Sequence, residues 1–131
     1  MMTVTGGQTG SAHAADDTVA AVRAAVTTAG LTPKDAGARY GQALGAVEVC
    51  IGSKVSEKAS ALNSVYSGAE LEAFKAQAAK VYDAGIKVKN CVHAIDPNQC
   101  RIIMEESCAA ALSEIGPSGT ALPELLEAPR R

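Results

Sequence analysis

Cys91-Val92-His93-Ala94-Ile95-Asp96-Pro97-Asn98-Gln99-Cys100 is the stretch that decides the fold. Asp96 offers a side-chain oxygen to the free N–H groups of a helix start. Pro97 has the fixed φ and missing N–H that suit the first helical position, and Gln99 stands at the third. One helix is therefore predicted to end near Ile95 and another to begin at Pro97. A cysteine precedes that junction and another follows it, so a bridge between them would staple two antiparallel helices across a tight turn.

Downstream, the second of these helices runs to about Ile115, where Gly116-Pro117 stops it. Within it Cys100 and Cys108 are eight residues apart, or about 12 Å along a continuous helix. A disulfide spans at most about 7 Å between Cα atoms, so Cys100–Cys108 is excluded, and with it the complementary Cys50–Cys91. Two pairings of the four cysteines remain. Cys91–Cys100 with Cys50–Cys108 is preferred because it staples the hairpin and ties the 97–115 helix to the helix carrying Cys50. Two bridges imply an oxidising compartment, and the protein is expected in the bacterial periplasm or secreted.

Upstream, helix punctuation recurs. Asp16 or Asp17 caps a first helix through Val19, Val22 and Val26, and Gly30 stands where a left-handed residue ends it. Thr32-Pro33 opens a second, with Asp35 at its third position. Leu44, Val47, Ile51, Val55, Leu62 and Val65 continue its apolar stripe over some thirty residues, with a kink expected at Gly52-Ser53. Ser67 and Glu70 form a capping box that opens a third, carrying Leu71, Phe74, Ala78, Val81, Gly85, Val88 and Val92. The helix from Pro97 is the fourth. Pro123 starts a last turn presenting Leu122, Leu125 and Leu126.

These elements predict an all-α fold, an antiparallel four-helix bundle with a short C-terminal helical turn, filling residues 15–131 as a single domain. Residues 1–14 are read as a disordered leader, either a tag or a signal remnant. Ala12-His13-Ala14 has the small-x-small pattern of a signal-peptidase site, without the basic and apolar regions that precede one, and Met2 to Gln8 resembles common expression tags. At 131 residues the chain is long enough for one core. With 47% hydrophobic but only 3% aromatic residues, that core must be built from Ala, Val, Leu and Ile.

Composition and spacing also limit function. A net charge of −2, with both signs mixed along the chain, gives no attraction to nucleic acid. No segment approaches the roughly 18 apolar residues of a spanning helix. Cys91, His93, Cys100 and Cys108 imitate a zinc set, but positions about 12 Å apart on one helix cannot share an ion, so no metal or other cofactor is expected. The Gly6-Gly7-Gln8-Thr9-Gly10-Ser11 run lacks the Lys-Ser/Thr of a phosphate loop. His13 and His93 have no partnered nucleophile in the pattern, and Glu105 and Glu106 diverge by about 100° on their helix. No catalytic residue is assigned, and no enzyme is expected.

A face of small residues remains. Gly37, Gly41 and Gly45 recur every fourth residue, and each costs about 1 kcal/mol of helix propensity relative to Ala, so a close packing gain must offset them. That gain is either contact with the first helix or an exposed interaction face, with Tyr40 as a contact residue, for a homodimer or a protein partner. The Leu-rich tail is a second candidate surface. The overall pattern resembles small secreted helical proteins of bacteria and predicts a binding module. The alternative is a ligand or metal carrier using a pocket between helices or the Cys91/His93 region. Intact mass under non-reducing conditions should lie about four hydrogens below the reduced value, with Cys91–Cys100 and Cys50–Cys108 recovered as linked peptides; four alkylatable thiols would contradict the compartment.

Overall fold

The computed structural model describes residues 3–129, and for residues 3–15 it describes the backbone alone. Among the described residues the elements are α1 (Thr3–Ala29), α2 (Pro33–Val49), β1 (Lys54–Val55), α3 (Glu57–Ala61), α4 (Gly68–Lys89), α5 (Pro97–Ile115) and β2 (Leu126–Glu127), with 3-10 turns at Leu62–Ser64 and Asn90–His93. The all-α class holds.

Local chemistry explains most boundaries. Gly30, at φ +70°, ends α1 in the left-handed region, and Leu31 N–H and Gly30 N–H close back on Val26 and Thr27 carbonyls. Thr32 and Asp35 form a reciprocal capping box at the start of α2. Asp96 accepts from Asn98 and Gln99 N–H groups, and α5 runs from Pro97 to Ile115 as expected. Ser67 caps α4 by position only, since its side chain makes no capping hydrogen bond. The α4 helix ends at Lys89, earlier than expected, and a 3-10 turn carries the chain to His93.

The backbone from Thr3 to Ala29 is helical as α1. Two expectations are corrected. The first is the thirty-residue helix from Pro33, which breaks at Cys50. Gly52 lies at φ +88°, Ser53 N–H closes a turn onto Cys50 C=O, and β1 and α3 follow. The second is the C-terminal helical turn, which is instead a tail folded over the end of α5. Glu124 N–H and Leu125 N–H donate to Gly116 and Ile115 carbonyls, and Leu126 and Glu127 pair antiparallel with Val55 and Lys54. Leu122, Leu125 and Leu126 are core residues rather than a docking surface.

The break at Cys50 reverses the chain before α4 begins, so α2 and α4 run parallel. Gly37 faces Phe74, Gly41 faces Ala78, and Gly45 faces Gly85, the two numberings rising together. A regular antiparallel four-helix bundle therefore does not describe the packing. The α5 helix does run antiparallel to α2, since Cys50 is bonded to Cys108 while Arg39 pairs with Glu114 at 2.7 Å, the one numbering falling as the other rises. Gln42 and then Arg39 hydrogen-bond the Glu114 carboxylate and hold its pKa below the ordinary glutamate value. The α1 helix rests mainly on α3 and the 3-10 turn after it.

Phe74 is fully buried at the centre, its ring flanked by Tyr40 at 5.4 Å and Tyr66 at 5.5 Å between centroids. Leu62, Ile115, Val22, Val26 and the tail leucines complete the core. The three glycines of α2 let two helix backbones touch. A Cβ added at Gly37 or Gly41 would lie 2.9 Å from the Cα of Phe74 or Ala78, whereas at Gly45 the nearest atom is 3.3 Å away. Gly41→Ala is therefore expected to destabilise by about 1–3 kcal/mol despite the better helix propensity of Ala, while Gly45→Ala stays within about 1 kcal/mol. Denaturant unfolding of the two variants checks the difference; equal stability would contradict the close packing.

Candidate functional site

The residues expected to form an interaction face do not form one. Gly37, Gly41 and Gly45 are buried against α4, and Tyr40 turns its ring toward Phe74. Their packing partner is α4 rather than the first helix. The signal that favoured an inward role was the cost of three helical glycines, and it was correctly read as demanding a close backbone contact.

All four cysteines are bonded, Cys50 to Cys108 and Cys91 to Cys100, with Cα atoms 5.2 and 5.5 Å apart. Bonded sulfur offers no thiolate, so the Cys91/His93 region loses its metal-ligand character. His93 is exposed in the 3-10 turn. Among the described residues no three His, Cys, Asp or Glu side chains gather as a metal cage.

An apolar surface that sequence reasoning missed lies between the two disulfides. It begins at Ile51, assigned from its spacing to the buried stripe of a long helix. Because α2 stops at Cys50, Ile51 instead occupies the first corner of the Cys50–Ser53 turn, with 91% of its surface exposed. The turn is fixed on both sides. Cys50 is bonded to α5, and the backbone after buried Ser53 enters β1, which pairs with β2. Ile51 is thus a projecting side chain on a constrained mount.

Two grooves open beside it. One, of about 400 Å³, lies between Ile51, Val92, Pro97 and Met104, with Arg101 and Glu105 on its rim. The other, of about 350 Å³, is bounded by Ile51, Ala109, Leu112 and Pro129. Val92 is half exposed, and Arg101 and Glu105 form an exposed pair at 3.2 Å one turn apart on α5. Single exposed apolar residues are ordinary on protein surfaces, but a contiguous apolar area with a polar rim is the usual mark of a contact surface.

Two other concavities lie elsewhere among the described residues. A cleft of about 210 Å³ between α2, α4 and α5 is lined by Gly45, Ala46, Gly85, Val88 and Ala111, with Gln42 and Ser107 as its polar groups. Gln42 is already engaged by Arg39 and Glu114. A depression of about 320 Å³ near the tail holds Glu57, Glu124 and Glu127, of which Glu124 is paired with Lys58. Among the described residues no helix is long and apolar enough to cross a membrane. Two disulfides are compatible with an oxidising, extracytoplasmic compartment. Compared with family models, curated proteins and solved structures, the chain matches none, so the site is read from its own geometry.

Proposed function

We propose that this chain is a disulfide-stabilised interaction module of the periplasm or the extracellular space, which binds a macromolecular partner through the apolar face around Ile51. The observation that carries it is the placement of Ile51, the most exposed large apolar side chain among the described residues, on a turn fixed by Cys50–Cys108, beside a groove bordered by Val92 and Met104. Leaving an isoleucine in water forgoes about 1.5–3 kcal/mol of burial, which association would recover. A rigid mount also reduces the ordering cost of binding.

Binding rather than catalysis is the role in this proposal. The groups with chemical potential have structural tasks: the cysteines are bonded, and Glu114 joins α5 to Arg39 and Gln42 of α2. The net charge of −2 favours a protein over a nucleic acid as partner. A second reading, transport of a small apolar ligand, is favoured only by the cleft between α2, α4 and α5. It predicts a bound species released on denaturation and identifiable by mass spectrometry.

The test is a photo-reactive residue placed at Ile51, activated in cells of the source organism, with the same residue at exposed Lys80 as control. Recovery of the oxidised chain outside the cytoplasm, with a covalent macromolecular adduct at position 51 and none at 80, is expected. Recovery in the cytoplasm with four thiols, or equal labelling at both positions, would overturn the proposal.

A further inference from the structure

We propose that the macromolecule bound at the Ile51 face is a second copy of this chain, the two protomers related by a two-fold axis. This rests on the face being an interaction surface, and it names the partner from two features of that face.

The first feature is shape. A projecting side chain and open grooves lie side by side on one surface, since Ile51 borders both the groove reaching Val92 and Met104 and the groove reaching Leu112 and Pro129. A two-fold contact is self-complementary: whatever one protomer presents, the other presents reversed. A knob adjacent to a hole satisfies that condition, because turning one copy over places each Ile51 at the groove of the other. Both side chains then leave water in a single association step.

The second feature is charge. The rim along α5 carries one cation and one anion, Arg101 and Glu105, with side chains 57% and 64% exposed. They are four residues apart, about 6 Å along the axis, and lie symmetrically about the level of Ile103. Two α5 helices meeting antiparallel at that level bring Arg101 opposite the partner's Glu105, and Glu105 opposite the partner's Arg101. The intramolecular pair thereby opens into a ring of four alternating charges. A uniformly basic or acidic partner would meet as much repulsion as attraction at this pair, whereas a reversed copy meets attraction at both of its positions. Exposed pairs add little affinity, but they set register and suppress wrong partners.

Sedimentation equilibrium of the oxidised, full-length chain tests the assignment. The wild type is expected to dimerise, and Ile51→Asp to weaken dimerisation by about a hundredfold, as removal of a central apolar anchor does. Arg101→Glu alone and Glu105→Arg alone each set like charges against one another twice by symmetry, and each should weaken the dimer by about tenfold, whereas the double exchange should return it to within about threefold of wild type. Ile51, Arg101 and Glu105 lie on the surface, so circular dichroism and disulfide mapping are expected to be unchanged in all variants. A wild type still monomeric at about 1 mM, a dimer indifferent to Ile51→Asp, or a double exchange no better than the single ones would overturn the assignment. If the photo-adduct at position 51 then has a mass other than twice the chain, the interaction surface stands and only the identity of its partner falls. If there is no adduct, both fall.

Discussion

Direct backbone contact between α2 and α4 is the constraint from which the other features follow. Gly37 and Gly41 leave room only because they lack a Cβ, and the carbonyl groups of Phe74 and Ala78 occupy that room. Two helices this close, running parallel, cannot be joined by a short turn, since the chain must travel back the length of a helix before the second can begin. Residues 50–67 make that return, through the Cys50–Ser53 turn, β1, α3 and a 3-10 turn. The exposed position of Ile51 is a consequence. Had the chain continued as helix past Cys50, Ile51 would have lain on the apolar stripe its spacing suggests.

Around that pair, the covalent bridges and the tail supply what a core with few aromatic residues does not. Cys50–Cys108 closes a separation of 58 residues and Cys91–Cys100 one of 9, so loop entropy alone gives about 4 and about 2.5 kcal/mol respectively. The longer bridge anchors α5 to the end of α2, and the shorter one closes the α4–α5 hairpin. Leu122, Leu125 and Leu126 join the core with Val22 and Val26 of α1 and Ala59 of α3, and the β1–β2 pairing keeps the tail in place. Cys50 of the longer bridge adjoins Ile51, and Cys100 of the shorter one lines the groove beside it, so both bridges constrain the same apolar face.

The sequence was legible at several boundaries that a local chemical rule governs, though not at Asp16 or Asp17, which lie inside α1, nor at Ser67, whose side chain makes no cap. Gly30, the Thr32–Asp35 box, and Asp96-Pro97 each act within a few residues, and the corresponding helix ends lie where they predict. Cysteine pairing was legible because helix rise is a hard geometric limit. The fate of the Cys50–Val65 stretch was not legible, because its apolar spacing suits one long helix as well as two short elements facing a core. Only the tertiary demand of the glycine seam separates the two. The tail was misjudged for the same reason: Leu122, Leu125 and Leu126 look alike as an exposed turn or a buried lid, and what fixes the lid is distant in sequence, with Ser56 N–H donating to Leu125 C=O and Val55 pairing with Leu126. Ile51 was therefore missed as a surface residue, since its exposure depends on where α2 stops.

The direction of α4 relative to α2 is the central structural claim, and nuclear Overhauser contacts between the two helices read it directly. The account predicts contacts from Gly37 Hα to Phe74, from Gly41 Hα to Ala78 and from Gly45 Hα to Gly85 Hα, all rising together along the two helices. Contacts from Gly37 to Gly85 and from Gly45 to Phe74 would mean an antiparallel pair. They would contradict the return of the chain through residues 50–67 and, with it, the exposed mount of Ile51.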